Sequence, residues 1–194
     1  YPIAPQIRYL TINSRDLTLL RAAGIPSEQT SLLPNTITPP EPAPEFRKTS
    51  RDSPLVLYPV RGIPRKNLGE FCLFSGLAPK GSLFALALPP DRTPANNSSY
   101  VTWVKLAKAL RLPVTMGVAG RDCPSPSGGN SFPEWISAST HFITTSIAEG
   151  FGLSFLEAIA LRRPLIGRDL PEITSDFRSH GLTLGALHDG LFVP

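Results

Sequence analysis

Apolar positions follow two alternating rhythms along the chain. Leu55–Val60, Leu83–Leu88, Val114–Val118, His141–Thr145 and Leu165–Gly167 are short runs dominated by apolar and β-branched residues. Runs of that length and density read as strands buried on both faces. Between them, Asn67–Leu77, Val101–Leu110, Phe132–Ser139, Gly152–Leu161 and Ile173–His180 space their apolar residues at helical intervals. Upstream, Ile7–Ile12 reads as a strand, and Asn13-Ser14 caps a helix that runs to Ala23. Gly24 and Pro26 stop it, and Thr30–Leu33 is a second short strand. Strands alternating with helices of about ten residues predict βαβ units and a parallel sheet covered on both faces, with ligands at the carboxyl ends of the strands.

One stretch breaks the rhythm. Pro34 to Pro54 holds six prolines, at 34, 39, 40, 42, 44 and 54, among several charges. It reads as a linker. The expected organisation is residues 1–35 as the end of one domain, 36–54 as a hinge and 55–194 as a second α/β domain. The chain opens on Tyr1 and closes on Leu191-Phe192-Val193-Pro194, so a fragment cut at both ends is expected.

Composition narrows the function classes. Of 194 residues, 22 are proline, which argues against coiled coils and long helical bundles. Nineteen basic residues minus fifteen acidic ones give +4, a balance suited to anionic ligands. The basic residues are scattered, so no nucleic-acid surface is expected. No apolar stretch approaches the ~18 residues of a membrane span, and with no secretion signal a cytoplasmic location is expected. Cys72 and Cys123 alone make neither a disulfide framework nor a zinc site. His141, His180 and His188 have no ligand spacing, and His141 reads as a strand-edge residue. Asn96-Asn97-Ser98-Ser99 contains two overlapping glycosylation sequons but reads as a polar loop.

Two loops carry candidate chemistry. Arg61-Gly62-Ile63-Pro64-Arg65-Lys66 follows the Leu55–Val60 strand and opens a helix. Arg61 and Lys66 across a short loop beside helix amides can hold an anion, or can be a solvated basic loop. Ser146-Ile147-Ala148-Glu149-Gly150-Phe151-Gly152-Leu153-Ser154-Phe155-Leu156-Glu157 also follows a strand. Gly150 and Gly152 allow a sharp turn with exposed amides, and Glu149 and Glu157 accept hydrogen bonds from sugar hydroxyls. Against that, Ser154-x-x-Glu157 is also a capping box. Gly150-x-Gly152-x-x-Phe155 is a dinucleotide fingerprint with Phe at its third glycine, which keeps a nicotinamide-dependent oxidoreductase as an alternative. There is no P-loop, nucleophile elbow, H-E-x-x-H or Asp-x-Asp pair.

Together the loops resemble the donor-binding half of a retaining glycosyltransferase of the GT-B fold, family 4. Glu149 and Glu157 stand in its paired-glutamate motif, and Arg61 and Lys66 match its Arg-x-x-x-x-Lys pair. Asn13-Ser14-Arg15-Asp16 through Leu33-Pro34-Asn35 resembles the end of its amino-terminal domain. The resemblance implies a Rossmann-like α/β sheet and transfer of a sugar, with retention, from a nucleotide-diphosphate-sugar to an acceptor hydroxyl, without metal or other cofactor. Arg61 and Lys66 would hold the diphosphate, with Arg65 outside the pair. Glu149 would contact the transferred sugar. Gly150, Phe151, Gly152 and Leu153 would offer backbone amides, and Glu157 would take the ribose hydroxyls. Glu149, Arg61 and Lys66 would thus be the catalytic set. The acceptor is not legible. Thr145 replaces the family's usual proline, Arg162 its usual glycine, and Asp169-Leu170-Pro171-Glu172 has no assigned role. A degenerate module that binds the donor without transfer is the other alternative, and transfer by this chain alone is not expected.

Overall fold

The structure is a computed structural model describing residues 1–38, 53–91, 93–119 and 132–191. Most of the proline-rich hinge, Cys123 and most of the Gly/Pro/Ser loop before Asn130 lie outside these residues.

Six parallel strands form the main sheet, in the order β5-β4-β3-β6-β7-β8. They are β3 (Leu55–Arg61), β4 (Leu83–Leu88), β5 (Val114–Met116), β6 (His141–Thr144), β7 (Leu165–Arg168) and β8 (Leu187–His188). Neighbouring residues on each strand point to opposite faces, so two apolar layers arise from one run. Val56 and Tyr58 of β3, Phe84 and Leu86 of β4 and Ile143 of β6 pack one face. There they meet Leu68, Phe71 and Cys72 of α2 (Leu68–Leu77) and Ala107 of α3 (Pro94–Ala109). Leu57, Ala85, Phe142 and Leu165 pack the other face, against Trp135 of α4 (Phe132–Ala138), Phe155 and Ala158 of α5 (Leu153–Ala160), and Ile173 and Phe177 of α6 (Pro171–Ser179). Helices therefore cover both faces of the sheet, as the alternation predicts.

The strand order reverses between β3 and β6. Chain leaving β3 steps outward one way through α2 and β4, and chain leaving β6 steps outward the other way through α5 and β7. The two connections diverge, opening a crevice at the carboxyl ends of β3 and β6, where open α/β sheets bind their ligands. Both candidate loops open onto it.

A second, two-stranded parallel sheet pairs β1 (Tyr9–Thr11) with β2 (Thr30–Leu32) through α1 (Ser14–Ala22). It does not join the main sheet.

Several boundaries differ from the sequence reading. Helix α3 begins at Pro94, so Asn96–Ser99 is helical and not a loop. Pro94 sits in the first turn, where its missing N–H costs nothing. Strand β8 escapes the pattern altogether, because two residues carry no periodicity.

Candidate functional site

Residues after β3 form a short 3-10 turn, Pro64–Lys66, that delivers Arg65 and Lys66 to the crevice. Asn67, in the left-handed region at φ 47°, turns the chain into α2, and its side chain accepts from the Glu70 amide. Thr145 ties the end of β6 to this turn. Its hydroxyl donates to the carbonyls of Lys66 (2.9 Å) and Asn67 (3.1 Å). Tyr58, fully buried under the site, hydrogen-bonds Ser146 Oγ at 2.8 Å and donates to the Lys66 carbonyl at 3.2 Å. The two loops therefore rest on a shared set of buried hydroxyls.

Glu149 is the hub. Its Oε1 accepts from Lys66 Nζ and from Ser146 Oγ at 2.6 Å, and its Oε2 pairs with Arg65 Nη1 at 2.7 Å. Both the Lys66 and Glu149 side chains are only 8% exposed, so the pair is largely out of water. Burial alone would raise the Glu149 carboxyl. The hydrogen bonds from Lys66 and Ser146, with the Lys66 charge, outweigh it and hold the group below the ordinary carboxylate range. Burial pulls the Lys66 ammonium down, and Glu149 partly restores it.

Glu157 faces the same space from the second turn of α5. Burial raises its carboxyl, and the Lys66 charge only partly offsets this. The capping box expected from Ser154-x-x-Glu157 does not form. The N-cap of α5 is Gly152, and the helix has no side-chain cap. Gly152 is left-handed at φ 84°, and a Cβ there would lie 2.8 Å from Phe155 Cδ2. Phe155, where a dinucleotide fingerprint has glycine, is wholly buried in the core. Gly150 is different: its φ is not positive and a Cβ would have room, 3.7 Å from Ile12 Cδ1. Only one of the two glycines is thus demanded by the turn.

A cavity of about 340 Å³ occupies the crevice, lined by Lys66, Glu149, Gly150, Phe151, Gly152, Leu153 and Glu157, and also by Arg65, Ile12 and Asn35. The predicted residues therefore share one site, apart from Arg61. Arg61 is exposed at the end of β3, outside this lining, with its guanidinium donating to the Pro89 carbonyl at 3.4 Å. Arg65, expected to stand aside, takes a place in the site. Its neighbour Ile147 donates to the Arg65 carbonyl at 2.9 Å, which brings the Glu149 loop over it. Spacing within a sequence gave no sign of this bond.

Two other residues acquire structural roles. Asp169 accepts from Thr174 Oγ1 at 2.6 Å and pairs with Arg178 at 2.9 Å, fixing the start of α6. Buried Glu70 holds Arg168 (2.9 and 2.5 Å) and Asn67 Nδ2 (2.8 Å), linking α2 to β7, and His188 Nε2 of β8 lies 3.4 Å from its other oxygen without a hydrogen bond.

No family model matches the chain. It is 28% identical over 195 residues to mannosylglucosyl-3-phosphoglycerate synthase of Petrotoga mobilis, covering 92% of this chain and 37% of that protein. Its fold is similar to TarM, with a TM-score of 0.61 and 17% identity, over 88% of this chain and 31% of TarM. It is likewise similar to Anabaena HepE, solved in complex with UDP and glucose, with a TM-score of 0.58 and 17% identity, over 82% of this chain and 43% of HepE. The chain spans less than half the length of each of these relatives. In fold, the chain is similar to part of the GT-B glycosyltransferases and shares their Rossmann-like parallel sheet.

Proposed function

We propose that the crevice is the donor site of an enzyme that transfers a sugar from a nucleotide-diphosphate-sugar to an acceptor hydroxyl. The observation that carries this is the meeting of Lys66, Arg65, Glu149 and Glu157 around one cavity at the start of α5. The relative solved with UDP and glucose supports the class of ligand.

In this reading the diphosphate lies toward Lys66 and the amino-terminal end of α5, with Arg61 approaching from the rim. The amides of Gly150, Phe151, Gly152 and Leu153 have no acceptor among the described residues, and such amides together with the helix dipole attract anions. As the bond from the anomeric carbon to the diphosphate oxygen breaks, negative charge grows on that oxygen. Positioned cations and amides are worth most at that moment. Without a donor, Lys66 and Glu149 satisfy each other. An arriving diphosphate offers Lys66 a new partner and leaves Glu149 to accept from sugar hydroxyls, while Glu157 takes the ribose hydroxyls. These cations and dipoles are chemically sufficient for a transfer without a metal. Retention of configuration is carried by the family resemblance, and no helix among the described residues is long and apolar enough to cross a membrane.

Residues 1–35 are read as the end of an acceptor-side domain and 55–194 as the donor domain. Helix α1 buries no residue and Leu10, Leu19 and Leu33 are exposed, which suits a segment that belongs to a larger body. The acceptor groups would then come from outside this chain.

Calorimetric titration with UDP, GDP and ADP, with NAD as control, tests the reading. One nucleoside diphosphate should bind, and Lys66→Ala should weaken it by 1.5–3 kcal/mol, roughly 10- to 150-fold, the worth of a charge-assisted hydrogen bond. Arg61→Ala should cost less, because Arg61 is exposed and screened. Binding of NAD in preference to all three nucleotides, or of none of the four at millimolar concentration, would overturn it. Binding without turnover in the full-length protein would point to the degenerate module.

A further inference from the structure

Asn13 lies before the proline-rich stretch, 137 residues from the loop it touches, and is 1% exposed. Its Oδ1 accepts from the Asp16 amide at 2.7 Å and so caps α1. That task needs only an acceptor, and Ser, Thr or Asp would perform it as well. The amide nitrogen does something a cap does not require. Nδ2 donates to Asp16 Oδ2 at 3.0 Å and to the Gly150 carbonyl at 2.7 Å. The φ of Gly150 is not positive, and among the described residues its carbonyl accepts from no donor other than Asn13. The Asn13 bond does fix it. A trans peptide is planar, with its C=O and N–H pointing opposite ways. Holding the Gly150 carbonyl toward Asn13 therefore aims the Phe151 N–H away from Asn13, and Gly150, Phe151 and Gly152 all line the cavity. The adjoining residues make the hold firm. Ser14 N donates to Asp176 Oδ2 at 2.8 Å, Ser14 Oγ also bonds that carboxylate, and Ile12 packs beside Gly150.

We propose that Asn13 is a positioning residue for the 149–152 loop: from the segment before the linker it locks the Gly150 carbonyl, and so orders the amides that meet the donor. The inference rests on the donor-site reading for its consequence in binding, but not for the ordering itself.

Asn13→Ser is the decisive variant, since serine keeps the cap on α1 and is too short to reach Gly150. Ser14→Ala is the control, since it removes a bond to Asp176 and leaves the Gly150 contact. Hydrogen exchange of the 149–153 amides is measured first, and UDP affinity by calorimetry second, both on the whole chain. Asn13→Ser should speed exchange at these amides and weaken UDP about fivefold or more, the loss of one hydrogen bond's worth of order. Ser14→Ala should do neither, whatever it does to the melting temperature. Unchanged loop exchange in Asn13→Ser, or equal changes in both variants, overturns the inference. If the wild-type chain binds GDP or ADP in place of UDP, that nucleotide is the probe; if it binds none of the three, the donor-site reading fails and the exchange measurement still decides whether Asn13 orders the loop.

Discussion

Glu149 and Glu157 are eight positions apart in sequence and face one cavity, yet their surroundings push them in opposite directions. Glu149 is held below the ordinary carboxylate value of about 4.5, so its contribution to stability is present above about pH 4.5 and is lost as pH falls through its lower folded value. Glu157 is raised by burial, so its contribution runs the other way. It favours the fold below about pH 4.5 and is lost as pH rises through the raised value. Near neutral pH, Glu149→Gln should therefore destabilise the chain by about 3 kcal/mol, because it leaves Lys66 buried with its charge uncompensated. Glu157→Gln should stabilise it. Urea unfolding at pH 7 and at pH 4 checks both. The Glu157→Gln advantage should shrink at the lower pH, and a Glu157→Gln variant less stable than wild type at pH 7 would refute the burial argument. The sequence showed these two carboxylates and Lys66 by type and spacing, and it placed with them Arg61, which stands outside the cavity. It did not show Arg65, because its approach to Glu149 depends on a loop-to-loop bond between residues 82 apart, Ile147 N–H to the Arg65 carbonyl.

At the scale of elements, four helices end in the same way. After α1, α3, α5 and α6, the residue past the cap is left-handed, and paired backbone bonds close the last turn. Gly24 and Gly181 do this at no steric cost, whereas Arg111 and Arg162 do it at φ 52°. For α5 the bonds are Arg162 N to Ile159 O at 2.9 Å and Arg163 N to Ala158 O at 2.8 Å. An arginine at this left-handed position is thus a matter of backbone strain, and the helix end itself is regular. Arg162→Gly should stabilise the chain by about 0.5–1 kcal/mol, the left-handed penalty less the entropy of an added glycine. That is a rise of ~2–4 °C in a thermal melt. No gain would mean that the Arg162 side chain compensates for its strain. Strands β3, β4 and β6 were legible because double burial demands continuous apolar runs. The first turns of α3 were not: Pro94-Ala-Asn-Asn-Ser-Ser lacks an apolar stripe, and the helix is carried by Tyr100, Trp103 and Ala107 packing further along.

In the whole molecule, order is unequally distributed. The main sheet is packed on both faces, whereas β1 and β2 are three residues each and α1 buries nothing. Native-state hydrogen exchange should show β3, β4 and β6 opening only with global unfolding, and amides 9–32 opening at clearly lower free energy. Equal protection across both sheets would show that the amino-terminal segment is cooperative with the rest. The two-stranded sheet was legible as strand, helix and strand within Ile7–Leu33. The docking of its helix on α6 through Ser14 and Asp176 did not follow, since nothing local distinguishes that serine from any other near an N-cap.

Lys66 and Glu149 lie 83 residues apart, on opposite walls of the crevice. Their meeting has a consequence in time. Unit by unit, β3-α2-β4 can assemble from neighbouring chain, but the second wall arrives only when β6 inserts beside β3 after a long excursion through α3, β5 and α4. Non-local closures of this kind carry the larger entropic cost and come late in folding. A chain emerging from synthesis and ending before His141 would hold its cations without their carboxylate, and could take up anions loosely and without discrimination. Selective recognition would switch on in one step, with the insertion of the strand that also completes the core.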